Sequence, residues 1–222
     1  MVAILKDYLQ KQDEKGIISL LQEYPKIIEE NDDSGNSVFA ILAYSGLSDV
    51  YELAITLKND FTFYEAIMAG KIKEVKEAFV LENSIINAYA PDGFTPISLA
   101  AYFNKYDIAC FLLDNGANPN TPANNPSKVN ALHAAVAKEN VSMIQLLIAY
   151  EANTNAIQMQ GVTPLHSAVH RGNLDIVKLL LKHKALINVK MDNGDTPLTI
   201  ADREGHTEIA AYLTSKCNSL PN

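Results

Sequence analysis

An internal repeat is the feature that most constrains how this chain of 222 residues can fold. The segment GVTPLHSA at Gly161–Ala168 returns as GDTPLT at Gly194–Thr199. Its Leu-His-x-Ala part stands one period earlier in Asn130–Ala135, and its Thr-Pro part stands one period before that in Gly93–Ala100. A period of roughly 33 residues indicates small repeats stacked in a row, because one of them cannot bury its own apolar face.

The repeat that begins near residue 160 predicts two helices. Thr163 is a good N-cap, and Pro164 then falls at the first helical position, where its missing N–H costs nothing. Gly172 suits the left-handed residue that ends such a helix. A second helix is predicted over residues 174–183. Its face toward the core should carry Ile176, Val177, Leu180 and Leu181, and its outer face Lys178 and Lys182.

The tetrapeptide TPLH, the period and the Gly-x-Thr-Pro junctions resemble the ankyrin repeat family, most strongly over residues 84–216. The resemblance implies a protein made of these repeats alone and an all-α fold. That fold is a solenoid of stacked helix-turn-helix units joined by short hairpin-like loops, called fingers below. The signature positions that would build it are Thr95, Pro96, Leu132, His133, Thr163, Pro164, Leu165, His166, Gly172, Thr196, Pro197 and Leu198.

The repeats are expected to form a single domain over residues 1–222. Ser37 and Phe61, where two successive first helices are aligned, are too close in sequence for a complete repeat, so no finger is predicted between them. Glu74 and Glu77 fall where the pattern expects apolar residues, and the finger at residues 121–127 is two residues longer than the others. The expected repeats are 1–33 (a degenerate N-terminal cap), 34–57, 58–91, 92–126, 127–159, 160–192 and 193–222 (a C-terminal cap).

The sequence carries no convincing catalytic, metal-binding or cofactor-binding constellation. His133 and His166 could be read as a metal pair, or as side chains that hydrogen-bond each helix start to neighbouring loop backbone. Equivalent positions on stacked helices lie about 8–10 Å apart, whereas zinc–nitrogen bonds measure about 2.0–2.1 Å, so the structural interpretation is favoured. Cys110 lacks a glycine-rich oxyanion turn, and phosphate-binding and Cys-x-x-Cys motifs are absent. A non-enzyme without cofactor or metal is expected.

Specificity should therefore lie at exposed, variable positions, which in the family line a concave groove. The aromatic residues among them either form a binding patch or pack against the irregular third repeat or the longer finger. We expect a protein partner, bound by a non-catalytic scaffold. A regulatory subunit or inhibitor of an enzyme is the alternative, and a small-ligand sensor or enzyme a remoter one. The candidate contact residues are Phe94, Tyr102, Phe103, Lys138, Val162, Ser167, His170, Arg171, Asp195 and Arg203.

Charge and hydropathy restrict the partner and the compartment. The net charge of −8 argues against nucleic acid, and no apolar stretch is long enough to predict a membrane span. A cytoplasmic monomer is expected. Residues 1–60 carry five lysines against eleven acidic residues, which either steers a basic partner or is simply a solvated face. The lysines at positions 178, 182, 184 and 190 are interpreted as a wetted back face.

Overall fold

The computed structural model describes residues 1–218 and is built from α-helices. The described residues contain seven helix pairs, three short 3₁₀ turns and one isolated β-bridge, between Asn31 and Ser37. The chain divides into two compact bodies, Met1–Glu82 and Asn83–Asn222, called the N-terminal and C-terminal bodies here. The all-α class of stacked helix-turn-helix pairs is therefore confirmed, while the single-domain assignment stays a prediction.

The N-terminal body contains three of the helix pairs. In each pair the first and second helices pack against each other, and α2 and α4 also contact one another. The pairs are α1 (Val2–Gln10) with α2 (Glu14–Glu23), α3 (Val38–Ala43) with α4 (Ser48–Leu57), and α5 (Phe63–Ala69) with α6 (Ile72–Leu81).

The C-terminal body contains the other four pairs. Its first helices form one stack, in which α7 packs on α9, α9 on α11 and α11 on α13, and second helices α12 and α14 also touch. The pairs are α7 (Pro96–Tyr102) with α8 (Tyr106–Asp114), α9 (Ala131–Ala137) with α10 (Val141–Ala149), α11 (Pro164–His170) with α12 (Leu174–Lys182), and α13 (Pro197–Glu204) with α14 (Thr207–Asn218).

Local sequence explains where these helices begin and end. Thr95, Thr163 and Thr196 are N-caps, each followed by proline at the first helical position, as predicted. Gly172 has a φ of +71°, which confirms its left-handed conformation. A Cβ atom at Gly172 would lie 2.6 Å from Cε1 of His206, so glycine is needed there for space as well as for conformation.

The predicted inward and outward positions of α12 are confirmed for most of the helix. Ile176, Val177 and Leu180 are completely buried, whereas Lys178 and Lys182 are exposed. The first helices are buried more fully than the second ones: in α9 every residue from Ala131 to Val136 is buried. The core of the C-terminal body therefore follows the first-helix stack.

The fingers of the C-terminal body are joined by backbone hydrogen bonds. The N–H of Asn124 donates to the Gly93 carbonyl at 2.8 Å, that of Met159 to Ser127 at 3.0 Å, and that of Asp192 to Gln160 at 3.0 Å. The longer finger at residues 121–127 makes these bonds with both neighbouring fingers, through Asn124 and Ser127. Its two extra residues are thus accommodated without breaking the series, which favours the interpretation that the insertion is tolerated.

Asparagine side chains connect the loops that follow the second helices. Asn120 donates through Nδ2 to the Glu151 carbonyl at 3.0 Å and accepts the N–H of Asn153 at 2.7 Å. Asn155 bonds Lys184 and Leu186 in the same way, at 3.0 and 2.7 Å. The asparagine that recurs in the sequence is thus a link between adjacent repeats.

The N-terminal body departs from the regular pattern in two ways. Only Lys58–Thr62 separates α4 from α5, which confirms that no finger lies there. The N-cap of α5 is Thr62, so the alignment that started this helix at Phe61 was wrong by one residue. Glu74 and Glu77 are exposed on α6, where Val75 is the one fully buried residue, and their charges therefore remain hydrated.

Candidate functional site

The signature histidines His133 and His166 connect α9 and α11 to the finger of the following repeat. His166 accepts the Thr163 N–H on Nδ1 at 3.1 Å, which leaves Nε2–H to donate to the Val189 carbonyl at 3.1 Å. Burial lowers the pKa of His166 and thereby keeps this neutral form. These contacts support the structural interpretation of His166 over a metal-binding one.

His133 occupies the equivalent position in α9, and its ring contacts different partners. Its Nδ1 lies 2.8 Å from Oδ1 of the N-cap Asn130, and its Nε2 lies 3.3 Å from the Val162 carbonyl. The side chain is buried, and this burial lowers its pKa to about 4 despite the opposing effect of the backbone carbonyls. A neutral imidazole has a single N–H, which it donates to one of these two oxygens, Asn130 Oδ1 at the start of α9 or the Val162 carbonyl of the next finger.

Glu65 takes the equivalent place in α5, which the sequence reading missed. Its carboxylate accepts the Thr62 N–H at 2.9 Å, and its other oxygen accepts the Ser37 hydroxyl at 2.5 Å. Lys58 Nζ lies 3.4 Å from Glu65 and 2.7 Å from Glu29. The capping-box pattern T-x-x-E at Thr62–Glu65 was the signal that could have revealed this role.

An aromatic cluster lies on what we call the first-helix face of the C-terminal body. This face is the surface formed by the carboxyl ends of α7, α9, α11 and α13 and their fingers. Tyr102 ends α7, Phe103 caps it, and their rings meet edge to face with centroids 5.1 Å apart. Lys138, the C-cap of α9, places Nζ 4.1 Å from the Tyr102 ring centroid, a cation–π distance.

This cluster is only partly covered. Tyr102 and Phe103 are half-buried, and Lys138 is exposed. The rings thus pack against each other and keep part of their surface in contact with water. Phe94, in the finger before α7, is also half-buried, and its N–H is held by Asp92 Oδ1 at 3.1 Å.

Three ionisable candidates farther along this face, Arg171, His170 and Arg203, each lie close to an acidic side chain. Arg171 lies 3.7 Å from Glu139, and His170 Nδ1 lies 3.4 Å from Glu204. Arg203 contacts Asp195 at 2.5 Å and Glu204 at 3.3 Å, and the contact with Arg203 lowers the pKa of Asp195. Exposed pairs of this kind contribute little to stability. Together they form a surface on which positive and negative groups lie next to each other.

The remaining candidates differ in what they could offer a partner. Val162 and Ser167 are half-buried, and the Val162 carbonyl already faces His133. Cys110 is half-buried on α8, and burial raises the pKa of its thiol, which opposes the thiolate that a nucleophile needs. Among residues 1–218, no three His, Cys, Asp or Glu side chains are grouped so that they could hold a metal ion.

The fold and the face together define a helical-repeat protein with a broad polar and aromatic surface. No helix within residues 1–218 combines the length and the apolar character required to span a bilayer. Family profiles for ankyrin repeats match residues 132–221 (three copies) and residues 97–148 (many copies). These matches together cover residues 97–221, and the chain belongs to the ankyrin-repeat family, as its motifs indicated. Ankyrin repeats generally mediate protein–protein interaction.

Two curated relatives share parts of the sequence. Ankyrin repeat domain-containing protein 49 of Drosophila melanogaster is 43% identical over 54 residues, which cover 24% of this chain and 25% of the fly protein. An ankyrin repeat protein of Acanthamoeba polyphaga mimivirus is 33% identical over 141 residues, which cover 63% of this chain and 16% of the viral protein. The chain thus aligns with a quarter or less of the length of either relative.

Proposed function

We propose that this protein is a non-catalytic binding scaffold that holds a protein partner on the first-helix face of its C-terminal body. The observation that carries the proposal is the cluster of Tyr102, Phe103 and Lys138. Partly exposed aromatic rings are enriched in the cores of protein interfaces, and tyrosine is enriched among the residues that dominate their binding energy. A half-buried ring pair also has little side-chain freedom left to lose on binding.

The surroundings of the cluster support the same proposal. The helix ends that carry it are set by buried first helices, and the fingers beside it are bonded to each other through their backbones. A partner would therefore meet a surface whose geometry exists before contact, which reduces the entropic cost of association. The compensated charges of Arg171 and Arg203 would give orientation more than affinity.

The double substitution Tyr102→Ala with Phe103→Ala tests this proposal. Partners are first recovered with the intact protein by affinity purification and mass spectrometry, and the binding of a recovered partner is then measured by calorimetry. We expect the double variant to lose binding by about thirtyfold or more, since two interface anchors each contribute about 1–2 kcal/mol or more. Its melting temperature should fall only slightly, because both rings are half-exposed.

A matched control uses an exposed aromatic residue on another face. Tyr106→Ala removes a ring that is 43% exposed on α8, outside the first-helix face, and should leave partner binding unchanged. If Tyr106→Ala weakens binding as much as the double variant does, the first-helix face is not the contact surface. If the double variant unfolds, partner binding is measured with Lys138→Glu instead, because Lys138 is exposed and lies over Tyr102.

A further inference from the structure

A second surface of the C-terminal body has the composition of a binding groove. It lies between second helices α12 and α14 and the loop after α12, and it encloses about 550 Å³. Four lysines form its rim: Lys178, Lys182, Lys184 and Lys216. Its floor is apolar and includes Leu181, Leu186, Ile187 and Tyr212. We call this surface the lysine groove.

Two of the groove lysines take no part in the ion pairs of the fold. Lys182 and Lys184 are exposed and make no ion pair within residues 1–218. Lys178 and Lys216 lie 5.7 and 5.6 Å from the Tyr212 ring centroid, so that the ring is contacted by two cations. Positive charge is thus concentrated around an apolar floor in a protein whose net charge is −8.

The neighbouring repeats show that the fold does not require this charge. Lys178, Lys182 and Lys184 correspond to Gln145, Ala149 and Glu151 of the preceding repeat. One repeat further back, the same positions hold Cys110, Asp114 and Gly116. The helix pairs of these repeats form with neutral or acidic residues at the same places, so neither helix formation nor stacking requires the three lysines.

Leu186 breaks the local pattern in the same place. The equivalent residues Asn118 and Asn153 each accept a backbone N–H two residues later at 2.9 Å, which stabilises the turn. Leu186 cannot make this bond, and its side chain is 59% exposed. A turn-stabilising residue is thus replaced by an exposed apolar one beside three lysines, and such a local conflict is typical of functional positions.

From these observations we propose that the lysine groove binds an acidic amphipathic helix of a partner protein. The apolar residues of that helix would rest on Leu186 and Tyr212, and its carboxylates would meet the lysine rim. A groove between two helices accommodates a single helical segment better than it accommodates a flat membrane surface. The site does not depend on the first-helix face, since it is formed by different helices.

The probe is a fluorescein-labelled peptide of about 18 residues, long enough for five helical turns. It carries leucine along one helical face and glutamate on the other. Fluorescence anisotropy should show saturable binding to the intact protein, and the binding should weaken as salt is added, because salt screens exposed charges. A peptide with lysine in place of every glutamate should bind at least about tenfold more weakly, a difference of about 1.4 kcal/mol.

Three variants locate the binding site. Leu186→Ser removes the exposed apolar contact, and Lys182→Glu reverses one rim charge, so each should weaken peptide binding by about fivefold to tenfold. Lys190→Glu changes the net charge by the same amount as Lys182→Glu but lies outside the groove, and it should change binding less than about twofold. All three positions are in contact with solvent, and circular dichroism checks that each variant melts like the intact protein.

Several outcomes would overturn the proposal. These are the absence of peptide binding, equal losses in Lys182→Glu and Lys190→Glu, and binding to phosphatidylserine vesicles in place of the peptide. A wild-type dimer that Leu186→Ser dissociates would assign the groove to a second copy of this chain instead. The variant Tyr102→Ala with Phe103→Ala should retain peptide binding, so that this result is distinct from the test of the first-helix face.

Discussion

Individual side chains determine how this fold responds to acid. His133 is buried, and its pKa is lowered from the ordinary 6.5 to about 4. The unfolded chain therefore takes up a proton on this residue at a higher pH than the folded chain does. Its contribution to stability is complete above about pH 6.5 and is lost as the pH falls toward 4.

This shift predicts a measurable pH dependence of stability. Between pH 7 and pH 4, His133 should account for a decrease of up to about 3 kcal/mol in the free energy of unfolding. Urea denaturation at several pH values, compared between the intact protein and His133→Gln, measures it. The variant should be less stable at pH 7 and should show a shallower decline. Parallel declines would mean that His133 titrates alike in the folded and unfolded chains.

A second residue-scale prediction concerns Leu180, which is completely buried in α12. Replacing it with alanine should lower the free energy of unfolding by about 2–5 kcal/mol, because a cavity remains beneath the first-helix stack. Leu186→Ala is the control, since that side chain is 59% exposed, and it should cost less than about 0.5 kcal/mol. Similar costs for the two variants would contradict the burial described for α12.

At the scale of the helical elements, buried charge has replaced a signature histidine in α5. The side chains of Lys58 and Glu65 are 5% and 6% exposed. Glu65 accepts the N–H of the N-cap of α5 and thus occupies the position that His133 and His166 occupy in α9 and α11. A buried pair of this kind is costly to disrupt from one side, because the remaining charge stays out of water. The start of α5 therefore depends on Lys58, which lies outside the helix.

Lys58→Met should accordingly destabilise the N-terminal body by about 3–5 kcal/mol, the usual cost of an uncompensated buried charge. Lys73→Met provides a matched control. Lys73 and Glu77 are both exposed and lie 3.6 Å apart, so removing that pair should cost less than about 1 kcal/mol. Thermal unfolding compares the two variants, and a small loss in Lys58→Met would show that Glu65 remains solvated.

The sequence predicted helices best where each residue satisfied a local requirement. Thr163, Pro164 and Gly172 each have one preferred place in a helix pair, so their order alone located α11 and its end. The capping box could have located Glu65 but not its partners, because Lys58 and Ser37 come from the connection before it and from the N-cap of the preceding first helix. A motif shows a cap, but it does not show which distant charge neutralises it.

Contacts on the surfaces of the C-terminal body could not be predicted from motifs either. Tyr102 and Phe103 were expected at the first-helix face, but their ring contact and the approach of Lys138 depend on how α7 and α9 stack. Lys178, Lys182 and Lys184 were read as ordinary hydrated charges. Their relation to Leu186 and Tyr212 emerges only when α14 lies beside α12, since Tyr212 belongs to the next repeat.

On the scale of the whole C-terminal body, stability should decrease toward its last helix. Residues Ala131–Val136 of α9 are all buried, whereas α14 buries only Ile209 and Leu213 within its described residues. Amide hydrogen exchange should therefore be at least about tenfold slower in α9 than in α14. Equal protection would indicate that this body opens only as a whole.

The backbone bonds between fingers also determine which mutations the fingers of the first-helix face can accept. Since the N–H groups of Asn124, Met159 and Asp192 make these links, their side chains are free to change. Proline is the exception, because it has no hydrogen to donate. The natural prolines of the longest finger, Pro122 and Pro126, avoid the donor position. The tips can therefore diversify toward new ligands while the frame beneath them is preserved.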